Sequence, residues 1–213
     1  MTTRLTLYNG ALLACGEREL SSTTDSTPSR RYLDQAWNAD FTSEVLNAGQ
    51  WKFATRNQQL SHETSVTLEY GHSYAFLKPA DHVRTTRLCV DAFYNIPLTS
   101  YDTDTNYFYA SVDPIYISYV SNDTSYGGDL SKWPPDFTEY VRLYLAWKII
   151  PRLNGNKTDL DRLKKDIKLA LRDAKSSDAM EGPTAFPPTG SWVNARQRGR
   201  TGYDRGSRTS LIG

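Results

Sequence analysis

Three histidines, His62, His72 and His82, fall at intervals of ten. Imidazoles held together could bind a metal or relay a proton, but a spacing of ten matches no metal-ligand pattern, and no cysteine or paired carboxylate accompanies them. The run Asp102-Thr103-Asp104-Thr105-Asn106 resembles the start of a calcium loop. Its sixth position is Tyr107, where the sharp turn needs glycine, and its twelfth is Asp113, where a bidentate glutamate belongs, so a polar hairpin tip is the better reading. Gly127 and Gly128 precede Asp129 rather than a lysine and a hydroxyl residue, which excludes a phosphate loop. There is no GxSxG elbow, and neither Cys15 nor Cys89 sits in a CxxC or a catalytic context. Asp81, Asp91 and Asp113 are scattered over predicted strand ends, where turn capping is their commonest role. These residues predict no catalytic site, no metal and no cofactor, and hence a protein that is not an enzyme.

A second set of residues points to binding. From Glu181 to Gly213 the chain carries Pro183, Pro187 and Pro188 and five glycines between Gly182 and Gly206, which interrupt any packed element. Through it are spaced Phe186, Trp192, Val193, Tyr203, Leu211 and Ile212, and five arginines (Arg196, Arg198, Arg200, Arg205 and Arg208) face only Glu181 and Asp204. Such a segment reads either as an arm that orders against a partner or as a solubilising terminus. Arginine with interleaved aromatics also suits nucleic acid. The net charge of +1 and the lack of a reader motif favour a protein partner.

The elements that would position these residues fall into three helical blocks around a strand-rich middle. Leu5, Tyr8, Leu12 and Cys15 recur at three and four, predicting an amphipathic helix. Ser29 to Ala48 reads as one further helix with Leu33, Ala36, Trp37, Phe41, Val45 and Leu46 on its stripe and Gly49 as C-cap. The polar turn between the two predicts an antiparallel helical hairpin. At Trp51 the period changes to two, predicting a strand to Arg56, with further strands over 83–90, 107–109 and 114–120, short and broken by Pro79, Pro97 and Pro114. From Pro135 a helix with little polar face predicts a central position, ended by Pro151 and Asn154-Gly155. A last helix, capped by Thr158, has an apolar stripe from Leu160 to Ala174 opposite Lys164, Lys165, Lys168, Arg172 and Lys175. The expected fold is α+β: a helical bundle domain of residues 1–49 and 135–180, an inserted small antiparallel β domain of 50–134, and an extended C-terminal arm of 181–213.

Bulk properties set limits on all of this. With 213 residues the chain can bury one sizeable core or one core with an insertion. Fourteen tyrosines against seven phenylalanines suit interface-rich surfaces, because tyrosine joins contact area to a polar tip. Free buried thiols are the expected state of both cysteines. No basic leader precedes an apolar run and no 18-residue apolar stretch occurs, so a soluble protein with no membrane contact is expected.

The order of these parts, read with certain segments, resembles a known family. TLYNGALLACGE leads to LDQAWNADFTSEVLNAGQWKFATR; a middle carries LKPADHVRTTRLCVDAF and DPIYISYVSND; WPPDFTEYVRLYLAWKIIPRL and KTDLDRLKKDIKLALRDAKSSDAM close it. This is similar to the tail tubular protein A, or head-to-tail adaptor (gatekeeper), family of short-tailed bacteriophages, over nearly the whole chain from about Leu5. The clearest points are the alanine-rich start with its Gly16-Glu17 pair, the GQWKF junction and the WPPDFTEYV helix start.

The resemblance implies a structural virion protein at the head–tail interface, assembled in the host cytoplasm. It implies a homo-oligomeric ring, a dodecamer, that binds the portal protein above and the tail nozzle protein below. Genomic DNA would pass through its channel without sequence-specific binding and be retained until ejection. It further implies that the arm, through Phe186, Pro187, Pro188, Trp192, Arg196, Arg198, Arg200, Tyr203, Arg205, Arg208, Leu211 and Ile212, meets the portal or a neighbouring subunit. Three other readings stay open: a carbohydrate- or peptide-binding module, supported by the tyrosine-rich stretch 94–126; a tail-associated hydrolase, which needs a carboxylate pair converging in a cleft; and a head-completion protein of a long-tailed phage.

Overall fold

The computed structural model describes residues 2–66, 68, 71–153 and 157–182. Helix α1 (Arg4–Cys15) begins with a reciprocal cap. The Thr3 hydroxyl accepts the Thr6 N–H at 3.2 Å, and the Thr6 hydroxyl accepts the Thr3 N–H at 2.8 Å. Gly16, at φ 74°, ends the helix by donating to the carbonyls of Leu12 and Leu13, a left-handed conformation that glycine adopts without strain. Leu7, Tyr8, Ala11 and Leu12 are buried on one face.

The single helix expected over 29–48 is two. Helix α2 (Pro28–Trp37) ends at Asn38, and α3 (Phe41–Leu46) restarts after Asp40, whose φ of 54° lies in the left-handed region. Aspartate tolerates that region better than most residues, so the apolar stripe continues across a break in the backbone. Asn47, rather than Gly49, caps α3. Gly49 has a packing reason instead: a Cβ there would lie 2.8 Å from the Trp51 ring. Helices α1 and α2 meet through Arg4, Tyr8, Asp34 and Trp37, which brings the first half of α1 against the end of α2.

The strand expected from Trp51 also starts later. Lys52–Ala54 is a 3-10 turn, and β1 is Thr55–Leu60. The alternation of Trp51 and Phe53 reflects both rings packing on Phe137, at 4.7 and 5.0 Å between centroids. Strands β2 (Tyr74–Leu77), β3 (His82–Cys89), β4 (Asp102–Thr103), β5 (Tyr107–Ala110) and β6 (Ile115–Ser121) follow. They form two antiparallel three-stranded sheets, ordered β1-β6-β3 and β2-β5-β4. Both sheets contribute to one core of Leu60, Phe76, Leu88, Leu98, Phe108, Ala110, Ile115, Ile117 and Tyr119, so they pack as a small sandwich.

Helix α4 (Pro135–Leu153) contacts α1, α2 and α5 (Lys157–Met180). It runs through Pro151 instead of stopping there, because a proline this close to the end removes only the bond to the Trp147 carbonyl. Helix α5 begins at Lys157, one residue before the expected cap. A second core joins α1–α3, the 3-10 turn, α4 and α5. Strand β6 serves both cores: Ile115, Ile117 and Tyr119 belong to the sandwich, Val120 to the helical core. Met1–Glu181 is one compact unit, of α+β class. Among the described residues, no helix is long and apolar enough to cross a membrane.

Candidate functional site

The binding residues expected from the sequence, Phe186, Pro187, Pro188, Trp192, Arg196, Arg198, Arg200, Tyr203, Arg205, Arg208, Leu211 and Ile212, lie outside the described residues. What is described is the root of that segment. Lys52 holds the end of α5 at three points. Its backbone N–H donates to the Asp178 carboxylate at 2.8 Å, and its Nζ donates to the carbonyls of Asp178 at 2.6 Å and Ala179 at 3.0 Å. Those carbonyls belong to the last helical turn, where a cation opposes the negative end of the helix dipole. Burial raises the Asp178 carboxyl above its ordinary range, against the lowering effect of the Lys52 N–H and charge.

The three histidines go to different places. His62 Nδ1 pairs with Asp113 at 2.8 Å, His72 lies 3.4 Å from Asp102, and His82 Nε2 meets the Thr85 hydroxyl at 2.9 Å. Burial, then the charge of Lys78, holds His82 below its usual range, which keeps it neutral between the rings of Phe108 and Tyr119. Asp104 accepts N–H groups of Asn106 and Tyr107, both at 2.7 Å, and the Tyr109 hydroxyl, so the aspartate-rich run builds a turn between β4 and β5. No group of three or more His, Cys, Asp or Glu able to hold a metal occurs among the described residues. Both cysteines are free, Cys89 buried and Cys15 half-buried. Burial pushes the Cys15 thiol up to about 11, so it is protonated at neutral pH and a poor nucleophile.

The carboxylates that do converge on other groups tie elements together. Asp81 accepts from Arg56 at 2.9 Å, from the Tyr119 hydroxyl at 3.0 Å and from the Ser121 hydroxyl, joining β1, β6 and the start of β3. Burial raises the Asp81 pKa, but the hydrogen bonds from Ser121, Arg56 and Tyr119 outweigh it and hold the carboxyl below its ordinary value. Asp34 clamps Arg4, Arg30 and the Tyr8 hydroxyl at the α1–α2 contact. Glu44 joins α3 to α4 through Tyr144 and Lys148. The Gly127-Gly128 pair permits close approach rather than phosphate binding. A Cβ at Gly127 would lie 2.4 Å from the Ser121 carbonyl, and one at Gly128 the same distance from that of Asn122.

Two surfaces escaped the sequence reading. The first is the loop after β3. Here the Asp91 carboxylate accepts the N–H groups of Asn95 (3.1 Å) and Ile96 (2.8 Å), while the Val90 N–H donates to the Ile96 carbonyl (3.1 Å). Tyr94 adopts φ 58° and sends its hydroxyl to the Ile117 carbonyl at 3.0 Å. The loop so fixed holds Phe93 84% and Ile96 58% exposed. Its signal in the sequence was Asp91 and Asn95 bracketing a turn before Pro97, with apolar residues at its tip. The second surface is a cleft of about 430 Å³ between α2, α4 and α5, lined by Tyr32, Ala36, Trp147 and Leu160 and by the polar Gln35, Lys148, Arg152 and Lys164. No single stretch of sequence encodes it.

The described unit, of α+β class, thus carries an apolar loop tip in solvent and, on its helices, an open cleft of mixed apolar and cationic lining. Neither a known protein-family model nor a curated protein matches this chain.

Proposed function

We propose that this chain is a structural, non-catalytic head-to-tail connector of a tailed bacteriophage. In this reading it forms a ring, a dodecamer, between the portal protein and the tail nozzle protein. The ring continues the DNA channel without reading sequence and retains the genome until ejection. The finer architecture belongs to the same reading: a helical bundle from both ends of the chain, an inserted β domain, and an extended C-terminal arm that meets the portal.

The observation that supports it most is the way α1–α3 and α4–α5, more than 80 residues apart in sequence, share one core while β1–β6 lie between them in the chain. This is the order of parts on which the resemblance to tail tubular protein A rests. The clamp of Lys52 on the end of α5 adds a fixed departure point for the arm. Trp192 and Phe186 would then fill apolar pockets on the portal, and the arginines would pair with acidic portal surface. Ring symmetry repeats each weak contact, so attachment becomes effectively permanent.

Co-sedimentation with portal rings tests this. A chain ending at Met180 should keep its far-ultraviolet circular dichroism and melting temperature yet stay in the supernatant. Pelleting with portal as well as the full chain does would overturn the docking role of the arm.

A further inference from the structure

We propose that the Phe93–Ile96 loop of one copy inserts into the α2–α4–α5 cleft of the next, so that knob and hole are the two sides of the contact between subunits. This rests on the ring reading above and assigns its surfaces.

The knob is built to be exposed. Phe93 stands 84% in solvent although the loop that carries it is tied at its base by the Asp91 carboxylate and by the Tyr94 hydroxyl. Tyr94 is held in the left-handed region, which costs a non-glycine residue energy and persists only where the surroundings impose it. A loop fixed with an aromatic and an aliphatic side chain outward has lost its conformational freedom before binding, which lowers the entropy cost of the contact.

The cleft is large enough to take it and carries the opposite charge. Its volume of about 430 Å³ falls within the usual range for binding pockets, ample for a phenyl ring and an isoleucine. Ala36, Trp147 and Leu160 offer apolar and aromatic wall. Arg152 and Lys164, which also line it, form no ion pair among the described residues. The knob brings the counter-charge: Asp91 lies at its base, and the backbone N–H groups around it, led by that of Ile96, hold its carboxyl below the usual range, so it is ionised. A net charge of +1 sets up no general repulsion between copies. Because knob and hole are different surfaces on different elements, the contact is heterologous and repeats head to tail, the kind that closes into a ring or runs on as a filament.

The test uses the full-length chain with p-benzoylphenylalanine at position 93, irradiated over a range of protein concentrations. The expected result is a ladder of covalent multimers whose cross-linked peptides come from α2, α4 and α5. Ala36→Arg, which places a charged side chain in the cleft, should lower the multimer yield at least about tenfold, as loss of a central aromatic contact does. Unlabelled Phe93→Ser and Ala36→Arg chains give a second measurement. Each alone should sediment as a monomer, and an equal mixture should form dimers, since the first keeps its cleft and the second its knob. Unchanged melting temperatures establish that both variants fold. Multimers cross-linked through other regions would overturn this inference and leave the ring intact. A single-chain band at every concentration would overturn this inference, and the ring is judged separately, by whether the unlabelled chain sediments as multimers in the presence of portal rings. Ending the chain at Met180 should leave the ladder unchanged, which separates this contact from the arm.

Discussion

The helical core and the sandwich hold together by different means. Around α4, aromatic rings meet in series: Trp51, Phe53, Trp133 and Tyr140 all lie within 4.7–6.0 Å of Phe137, and Tyr144 stacks between Tyr140 and Trp147. Carboxylate clamps at Asp34 and Glu44 close its rim. The sandwich has a smaller core, mostly aliphatic around Phe76 and Phe108, and one polar node at Asp81. It also leaves Leu77, Phe93 and Ile96 in solvent. The helices also expose Leu13, Leu169 and Met180, but the large aromatic groups left in solvent, Phe93 and Tyr101, belong to the β region. The helical core is suited to be scaffold and the sandwich to make contacts.

The strongest test of that contrast is Phe137→Ala. Removing the ring at the centre of the aromatic series should cost about 3–5 kcal/mol in urea unfolding. Because β6 serves both cores, labelling of the buried Cys89 thiol in the sandwich should then rise at the same urea concentration as the loss of tryptophan fluorescence. Cys89 labelling that stays at its original midpoint would separate the two regions.

Asp81→Asn is expected to cost about 2–3 kcal/mol, since it weakens charge-assisted bonds to Arg56, Tyr119 and Ser121. The folded pKa of Asp81 is depressed, so its contribution is present above the unfolded carboxylate value near 4 and is lost as pH falls through the folded value. The acid limb of the stability curve should therefore be shallower in Asp81→Asn. An identical limb would place acid sensitivity elsewhere, with Glu44, also depressed, the next carboxylate to replace.

Gly127→Ala probes the junction of the two regions. Its Cβ would crowd the Ser121 carbonyl, Ala54 and Leu46, and about 2 kcal/mol of overpacking should lower both transitions together. The smallest effect belongs to the rim of the scaffold. Thr3→Ala removes the cap of α1 and should cost about 1 kcal/mol, seen as a small drop in melting temperature.

Side-chain periodicity revealed α1, α4, α5, β3, β5 and β6, where a long pattern had a single meaning. It could not reveal the break at Asp40, because the stripe from Leu33 to Leu46 continues in register across α2 and α3 while one residue's φ changes sign. Trp51 and Phe53 alternate like strand residues, yet both pack on Phe137 from a 3-10 turn, and over three residues the two periods are indistinguishable. Strand β2 has no signature in the sequence, because Tyr-Ala-Phe-Leu is too short to show a period. The cleft depends on the approach of α2, α4 and α5, a tertiary fact with no local signature. The Asp91 loop was legible as a turn, but its outward Phe93 depends also on the bond from the Tyr94 hydroxyl to β6, a strand more than 15 residues downstream.

The grip of Lys52 on the last turn of α5 also defines a path for mechanical load. Tension entering the chain at Glu181 would, without that grip, peel α5 open from its end one backbone bond at a time. With Nζ on two carbonyls and the backbone N–H on Asp178, the pull passes sideways into the 3-10 turn and through Trp51 and Phe53 to Phe137. The three contacts thus share a load that would otherwise fall on one backbone bond at a time.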